Sequence, residues 1–305
     1  MKEQNYMTSN YKIIGNKFKE EKKLHKALQF YKKAYKSDPE QKDNELLLDM
    51  GLIYDELEDY SAAKEKYIEV IENNPEDPRG YYSLAMTYDN LKEYDKAIKY
   101  YKKAIELDPD YDRAYFFLAN TYDEMGEKRK AIAYYLKAID ANPLYFWAYV
   151  NTGCIYEELD ENEQARVMIE KALCIKPENY KALFNMAVIL NKLDRKEEAI
   201  DFYLKTIDQN PKFAFSYLNV AIIYKEKERY EKAIQALTSG IKYNKNVSVL
   251  YYNRACLYTI TKDFEQAIDD LESSFKLNPG LREYGKMDEE LRPLHHLALF
   301  TQKNH

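Results

Sequence analysis

Four asparagines, Asn151, Asn185, Asn219 and Asn253, recur at a constant 34-residue interval. Asn185 stands inside the apolar run KALFNMAVIL (residues 181–190). Its amide competes for backbone hydrogen bonds in a helix and is costly to bury without a partner. A column of exposed amides, by contrast, has a use. Each offers one donor and one acceptor together, the pattern presented by the C=O and N–H of an extended peptide. The other groups with reactive side chains are sparse. His25, His295, His296 and His305 stand apart from Cys154, Cys174 and Cys256 in the pattern, so no thiol has an imidazole placed to activate it. Adjacent His295 and His296 diverge on a helix and do not suggest a metal site. There is no glycine-rich phosphate loop, HExxH or G-x-S-x-G. The expectation is a binding protein and not an enzyme, with no cofactor and no metal.

The amides need elements that hold them on one line. Pro39, Pro75, Pro109, Pro143, Pro177, Pro211 and Pro279 mark a period of 34 residues, with Lys245 where one more would fall and Lys42 and Asp43 as a two-residue insertion. A fixed period of this length signals a repeat array. With the proline at position 32, eight repeats cover residues 8–41, 44–77, 78–111, 112–145, 146–179, 180–213, 214–247 and 248–281. Position 20 is Ala in every repeat, from Ala27 to Ala267, and position 8 is Gly or Ala from Gly15 to Ala255. Two columns of small residues let two helices approach closely. Position 11 is aromatic except at Leu190, and positions 4 and 24 are mostly Tyr or Leu, so many of the 31 tyrosines are expected as interior wedges. Residues 1–7 are read as a tail. Residues 282–305 are read as a capping helix, broken near Pro293, and a tail.

The stretch YFFLANTYDEMGEKRKAIAYYLKAIDANP (residues 115–143) resembles a tetratricopeptide repeat, a helix-turn-helix of 34 residues. The resemblance extends over residues 8–281. It implies an all-α fold, a right-handed α-solenoid superhelix whose first helices line a concave groove. Positions 2, 6, 9 and 13 then share that inner stripe. Some long tetratricopeptide arrays, including that of the O-linked N-acetylglucosamine transferase, hold peptide backbone on an asparagine ladder, and the resemblance implies this role for Asn151, Asn185, Asn219 and Asn253. Two alternatives stand beside it: asparagines inherited by duplication, or amides bonded to neighbouring repeats that stiffen the array. Trp147, Lys181 and Phe215 at position 2 border the amides, with Cys154, Val188, Ile222 and Cys256 as a small apolar floor. Trp147 and Phe215 either accept apolar side chains or fill space between repeats.

Acidic pairs at positions 12 and 13 close several first helices: Asp55 and Glu56, Asp89, Asp123 and Glu124, Glu157 and Glu158. Carboxylates there oppose the helix dipole. They read either as solvated helix ends or as a row that attracts a basic segment. The opening repeat is similar to that of co-chaperones that clamp the C-terminal carboxylates of heat-shock chaperones. Lys12 and Asn16 match, but Asp49 and Ser83 replace an asparagine and an arginine of the clamp, and Asp49 would repel a carboxylate.

Composition narrows the class further. The net charge of −6 argues against a nucleic-acid partner. No stretch reads as a signal peptide or membrane span, and an odd number of widely spaced cysteines fits reduced thiols, so a cytoplasmic location is expected. The expected function is an adaptor that holds an extended peptide segment of a partner protein, one with basic residues at one end. The alternative is an assembly scaffold that uses its convex face or its ends.

Overall fold

The helix-turn-helix reading is met repeat by repeat in the computed structural model, which describes residues 2–37 and 43–301. Pro39 and Lys42 of the first boundary, and His305, lie outside the described residues. The elements run in pairs: α1 (Lys2–Glu20) and α2 (Leu24–Ser37), α3 (Asn44–Glu56) and α4 (Tyr60–Asn73), α5 (Pro78–Asn90) and α6 (Tyr94–Leu107), α7 (Asp112–Glu124) and α8 (Lys128–Ala141). There follow α9 (Phe146–Glu158) and α10 (Asn162–Ile175), α11 (Tyr180–Lys192) and α12 (Lys196–Gln209), α13 (Ala214–Glu226) and α14 (Tyr230–Tyr243), α15 (Ser248–Ile260) and α16 (Phe264–Leu277). The described residues contain no strand.

Each pair turns through one left-handed residue at position 15. Lys22, Glu58, Lys92, Gly126, Asp160, Asp194, Glu228 and Lys262 all have positive φ. Only Gly126 is of the type that adopts this region without steric cost. The turn between repeats uses different chemistry. Asn74, Asp108, Asn142, Asn210 and Asn278, each just before a proline, hold extended backbone or nearly so, as the following ring demands. Their side chains accept the N–H two residues on, as Asn142 does from Leu144 at 3.1 Å. Where Lys245 replaces proline, Asn244 still closes the turn, its carbonyl accepting from Val247 N at 3.1 Å. The second helix of this repeat, α14, is as long as its counterparts. Its Gly240 gives room to the buried Tyr217: an added Cβ would lie 2.9 Å from the Tyr217 ring.

The chain forms two compact parts, residues 1–152 and 153–305. In the first, α1 to α8 pack as successive pairs and α3, α5 and α7 lie side by side. In the second, α11 to α16 do the same, with α13 beside α15. The eight position-20 alanines are fully buried. Tyr31, Tyr67, Tyr101, Tyr135 and Tyr203, all at position 24, are interior wedges as expected.

Two expected boundaries shift. Residues 2–7, read as a tail, are the first turns of α1, because nothing in KEQNYM breaks a helix. The capping segment is not one helix. It comprises α17 (Gly280–Gly285), a 3-10 helix (Glu289–Leu294) and α18 (Ala298–Thr301). Gly285 is packed under Phe300, Asp288 caps the 3-10 helix, and Pro293 forbids a regular α-helical continuation. Leu291, Leu294 and Phe300 share one buried cluster with Leu271 and Phe275 of the last repeat.

Candidate peptide-binding face

On the first helices position 2 faces outward in most repeats and Asn151, Asn185, Asn219 and Asn253 at position 6 are half-buried, while position 9 runs from exposed Ile222 through half-buried Cys154 and Val188 to buried Cys256. In the first part Trp147 is 40% exposed. In the second, Lys181 is exposed and Phe215 is 60% exposed. Ile222, two turns along α13 from Phe215, is 44% exposed. Since Val220, Ala221 and Ile223 are buried on the opposite side, α13 is apolar all round. A helix of that kind is normally enclosed.

The four amides are not equivalent. Asn151 Nδ2 donates to Tyr135 Oη at 3.1 Å and reaches Asn120 Oδ1 at 3.4 Å. Asn185 Nδ2 donates to Cys154 Sγ of the preceding repeat at 3.0 Å. These two donors tie one repeat to the next. Asn219 and Asn253 instead turn onto carbonyls of their own helices, Phe215 O and Val249 O, each at 2.8 Å. Such i−4 contacts are local, and a ligand carbonyl can replace them without separating repeats. Sequence periodicity placed all four in one column but did not separate the two kinds, because the difference lies at position 9 of the preceding repeat, polar at Asn120 and Cys154 and aliphatic at Val188 and Ile222.

The acids also divide. Asp123 pairs with Lys128 at 2.7 Å and Glu157 with Lys192 at 2.5 Å. Glu124 accepts from Tyr94 Oη at 3.0 Å and remains exposed, as does Glu158. Asp55 and Asp89 turn inward. Asp55 accepts from Tyr67 Oη at 2.8 Å and from Thr87 Oγ1 of the next repeat at 3.0 Å. Asp89 accepts from Thr121 Oγ1 at 3.1 Å, with Tyr101 beside it. Burial raises both carboxyl groups above the usual range, Asp89 to about 6. These tyrosine–aspartate–threonine contacts are structural pins that the reading of an acidic row missed. The signal was present as threonine at position 10 after each such aspartate.

The clamp positions are occupied by internal partners. Lys12 pairs with Asp43 at 2.5 Å, Asn16 accepts from Tyr31 Oη at 2.6 Å, and Lys19 binds Asp49 at 2.5 Å. Arg79, which would stand for a lysine of the clamp in the third repeat, is held by Asp77 and Glu45, and Ser83 is buried.

The sequence of these paired helices matches models of the tetratricopeptide repeat at residues 45–77, 78–111, 112–143, 134–167, 180–213, 202–235 and 249–281. The chain belongs to the tetratricopeptide-repeat family. Its fold is therefore an all-α solenoid of tandem helix-turn-helix repeats. Solved structures agree. A tetratricopeptide repeat protein from Parabacteroides merdae is 18% identical with a TM-score of 0.55, covering 85% of this chain and 99% of that one. The pilF protein of Pseudomonas aeruginosa is 20% identical with a TM-score of 0.55, covering 70% and 96%. MamA is 26% identical with a TM-score of 0.50, covering 54% and 96%. No curated protein matches the chain. Tetratricopeptide-repeat proteins are in general adaptors that bind protein or peptide partners. No described helix is long and apolar enough to cross a membrane.

Proposed function

We propose that this tetratricopeptide-repeat protein is a non-enzymatic adaptor that holds an extended segment of a partner protein along its first-helix face. The observation that carries this reading is the outward apolar stripe of α13, where Phe215 and Ile222 flank Asn219. Exposed large apolar groups contiguous with hydrogen-bonding amides favour a bound segment over bulk water. Phe215 and Ile222 take apolar side chains. Asn219 and Asn253 exchange their local bonds for the partner backbone. Asn151 and Asn185, whose nitrogens join repeats, stiffen the array and leave the segment to Asn219 and Asn253. Lys181, at position 2 of the preceding repeat, extends the column within the second part. Exposed Glu158, in the second part, favours a basic residue on the segment.

The test is partner capture from source-cell lysate with wild type and with Phe215→Ala/Asn219→Ala, after the two are shown to melt alike. Loss of a specific partner from the variant supports the first-helix face. Equal capture by both refutes it. The scaffold reading has one observation in its favour: a cavity of about 490 Å³ between α10, α11 and α12, lined by Leu183, Leu190 and Phe202. It opens where Leu190 replaces the aromatic residue that in other repeats stacks on position 23, as Tyr88 does on Tyr100.

A further inference from the structure

In the first part of the chain, position 7 of each later first helix is buried. Met50, Leu84 and Leu118, which hold it in α3, α5 and α7, are 2%, 1% and 0% exposed. The second helix before them supplies the cover. A Cβ added at Gly80, one turn before Leu84, would lie 3.0 Å from Val70 and 2.9 Å from Ile71 of α4, and α6 packs on α7 in the same way. Ile14 holds position 7 of α1 and is 37% exposed, and Met7, two turns earlier, is 50% exposed.

Met7, Tyr11, Ile14 and Phe18 recur at helical spacing and so share one edge of α1. Phe30 of α2 stacks on Phe18 with ring centres 5.5 Å apart and lies 6.3 Å from Tyr11. The three rings are half-buried, and exposed lysines stand over them. The Lys26 ammonium is 5.6 Å from the Phe18 ring centre. That of Lys33 is 4.9 Å from Phe30 and 5.9 Å from Tyr11. Neither lysine forms an ion pair with another described residue. Residues 8–41 hold nine lysines against four acidic residues, so the charge around this edge is strongly positive.

We infer that this edge of α1 seats an amphipathic helix of a partner protein, with apolar side chains on Met7, Ile14 and Phe18 and carboxylates facing Lys26 and Lys33. A helix fits because the chain itself covers the same position of α5 and α7 with one. Acidic residues fit because the exposed ammonium groups of Lys26 and Lys33 have rings beneath them and no carboxylate of the chain upon them. A second copy meeting this edge with its own would set lysine against lysine. The surface is separate from the first-helix face of α13, so the inference goes beyond the adaptor reading and does not rest on it.

The test titrates the full chain, with labelled methyl groups, against three acetylated and amidated peptides of 21 residues. The first repeats Glu-Leu-Ala-Glu-Leu-Leu-Glu three times. The second has Lys for every Glu, and the third is the first with a central proline that breaks the helix. The acidic peptide is expected to move the Met7 and Ile14 methyl signals saturably and to gain helix on binding, while the other two leave the signals in place. Met7→Ser/Ile14→Ser is expected to weaken the acidic peptide by about tenfold or more, through lost apolar burial. Lys26→Glu/Lys33→Glu, on exposed positions that leave the fold intact, is expected to do the same and to flatten the salt dependence. Phe215→Ala/Asn219→Ala is expected to bind it as wild type does, so failure here and failure of the adaptor reading are told apart. Absence of shifts, or equal shifts from the basic or the proline peptide, overturns the inference. So does movement of the same signals by phosphatidylserine vesicles and not by the peptide, which would make the edge a membrane contact. A dimer in sedimentation that Met7→Ser/Ile14→Ser dissolves also overturns it and assigns the edge to a second copy.

Discussion

Tyr67 Oη donates to the Asp55 carboxylate over 2.8 Å, and the ring that carries it is wholly buried between α3 and α4. Thr87 of the next repeat reaches the same carboxylate, so one aspartate fastens two repeats. Removing the hydroxyl leaves a half-buried carboxylate short of a donor. Hydrogen bonds to charged groups are worth about 1.5–3 kcal/mol, and Asp55 retains Thr87. Tyr67→Phe is therefore expected to lower stability by about 1–2 kcal/mol. Because solenoids unfold by nearest-neighbour steps, hydrogen exchange of α3 and α4 is the measurement, and unchanged protection there would contradict the pin.

Asp89 sets a pH dependence of opposite sign to that of an ion-paired carboxylate. Burial holds its carboxyl at about 6 in the folded chain, against 3.8 for the ordinary group. The folded state therefore binds the proton more tightly, and its contribution to stability rises as pH falls from about 6 towards 3.8 and is lost above 6. Asp89→Asn keeps an acceptor for Thr121 without the charge. The variant is expected to be more stable than wild type at pH 7.5, with the difference shrinking towards pH 5. Urea denaturation of both proteins at the two pH values checks this, and a constant difference would refute it.

Gly51 faces the Tyr67 ring so closely that an added Cβ would overlap it. The ring has no freedom to retreat, being fully buried. Gly51→Ala is expected to cost about 1–3 kcal/mol, the usual range for overpacking. Gly126 offers the contrast. A Cβ there meets nothing within 4 Å, and only φ of 77° is at issue. Gly126→Ala is expected to cost about 1 kcal/mol through the backbone alone. Thermal melts of both variants separate steric from conformational cost.

Asn185 and Phe215 are expected to fail differently. Asn185→Ala removes a bond between repeats, to Cys154, and should lower stability by about 0.5–1 kcal/mol with little effect on a partner. Phe215→Ala removes an exposed ring and should leave stability within about 0.5 kcal/mol while weakening partner binding at least tenfold. Parallel melts and binding titrations distinguish the two, and the reverse pattern would return the amide to the binding surface.

The repeat, its small-residue seams and its buried tyrosines were legible because each depends on one residue type at one spacing. Ala27 to Ala267 pack as their column requires whatever stands beside them. The roles of Asn185 and Asp55 were not legible, because each depends on a second residue in another repeat. The same amide ties to Cys154 at one position and folds onto Phe215 O at another. The capping segment was misread because its apolar residues suit a helix, whereas Gly285, Asp288 and Pro293 divide it.

The most direct measurement is site-specific photo-crosslinking in the source cell, with p-benzoylphenylalanine placed at Phe215, at Ile222 and, as a control on a second helix, at Val167, which is 37% exposed. The adaptor account predicts a discrete protein adduct from Phe215 and Ile222, mapping to one extended segment of the partner, and none from Val167. Adducts from Val167 alone would move the working surface to the second helices and contradict the account.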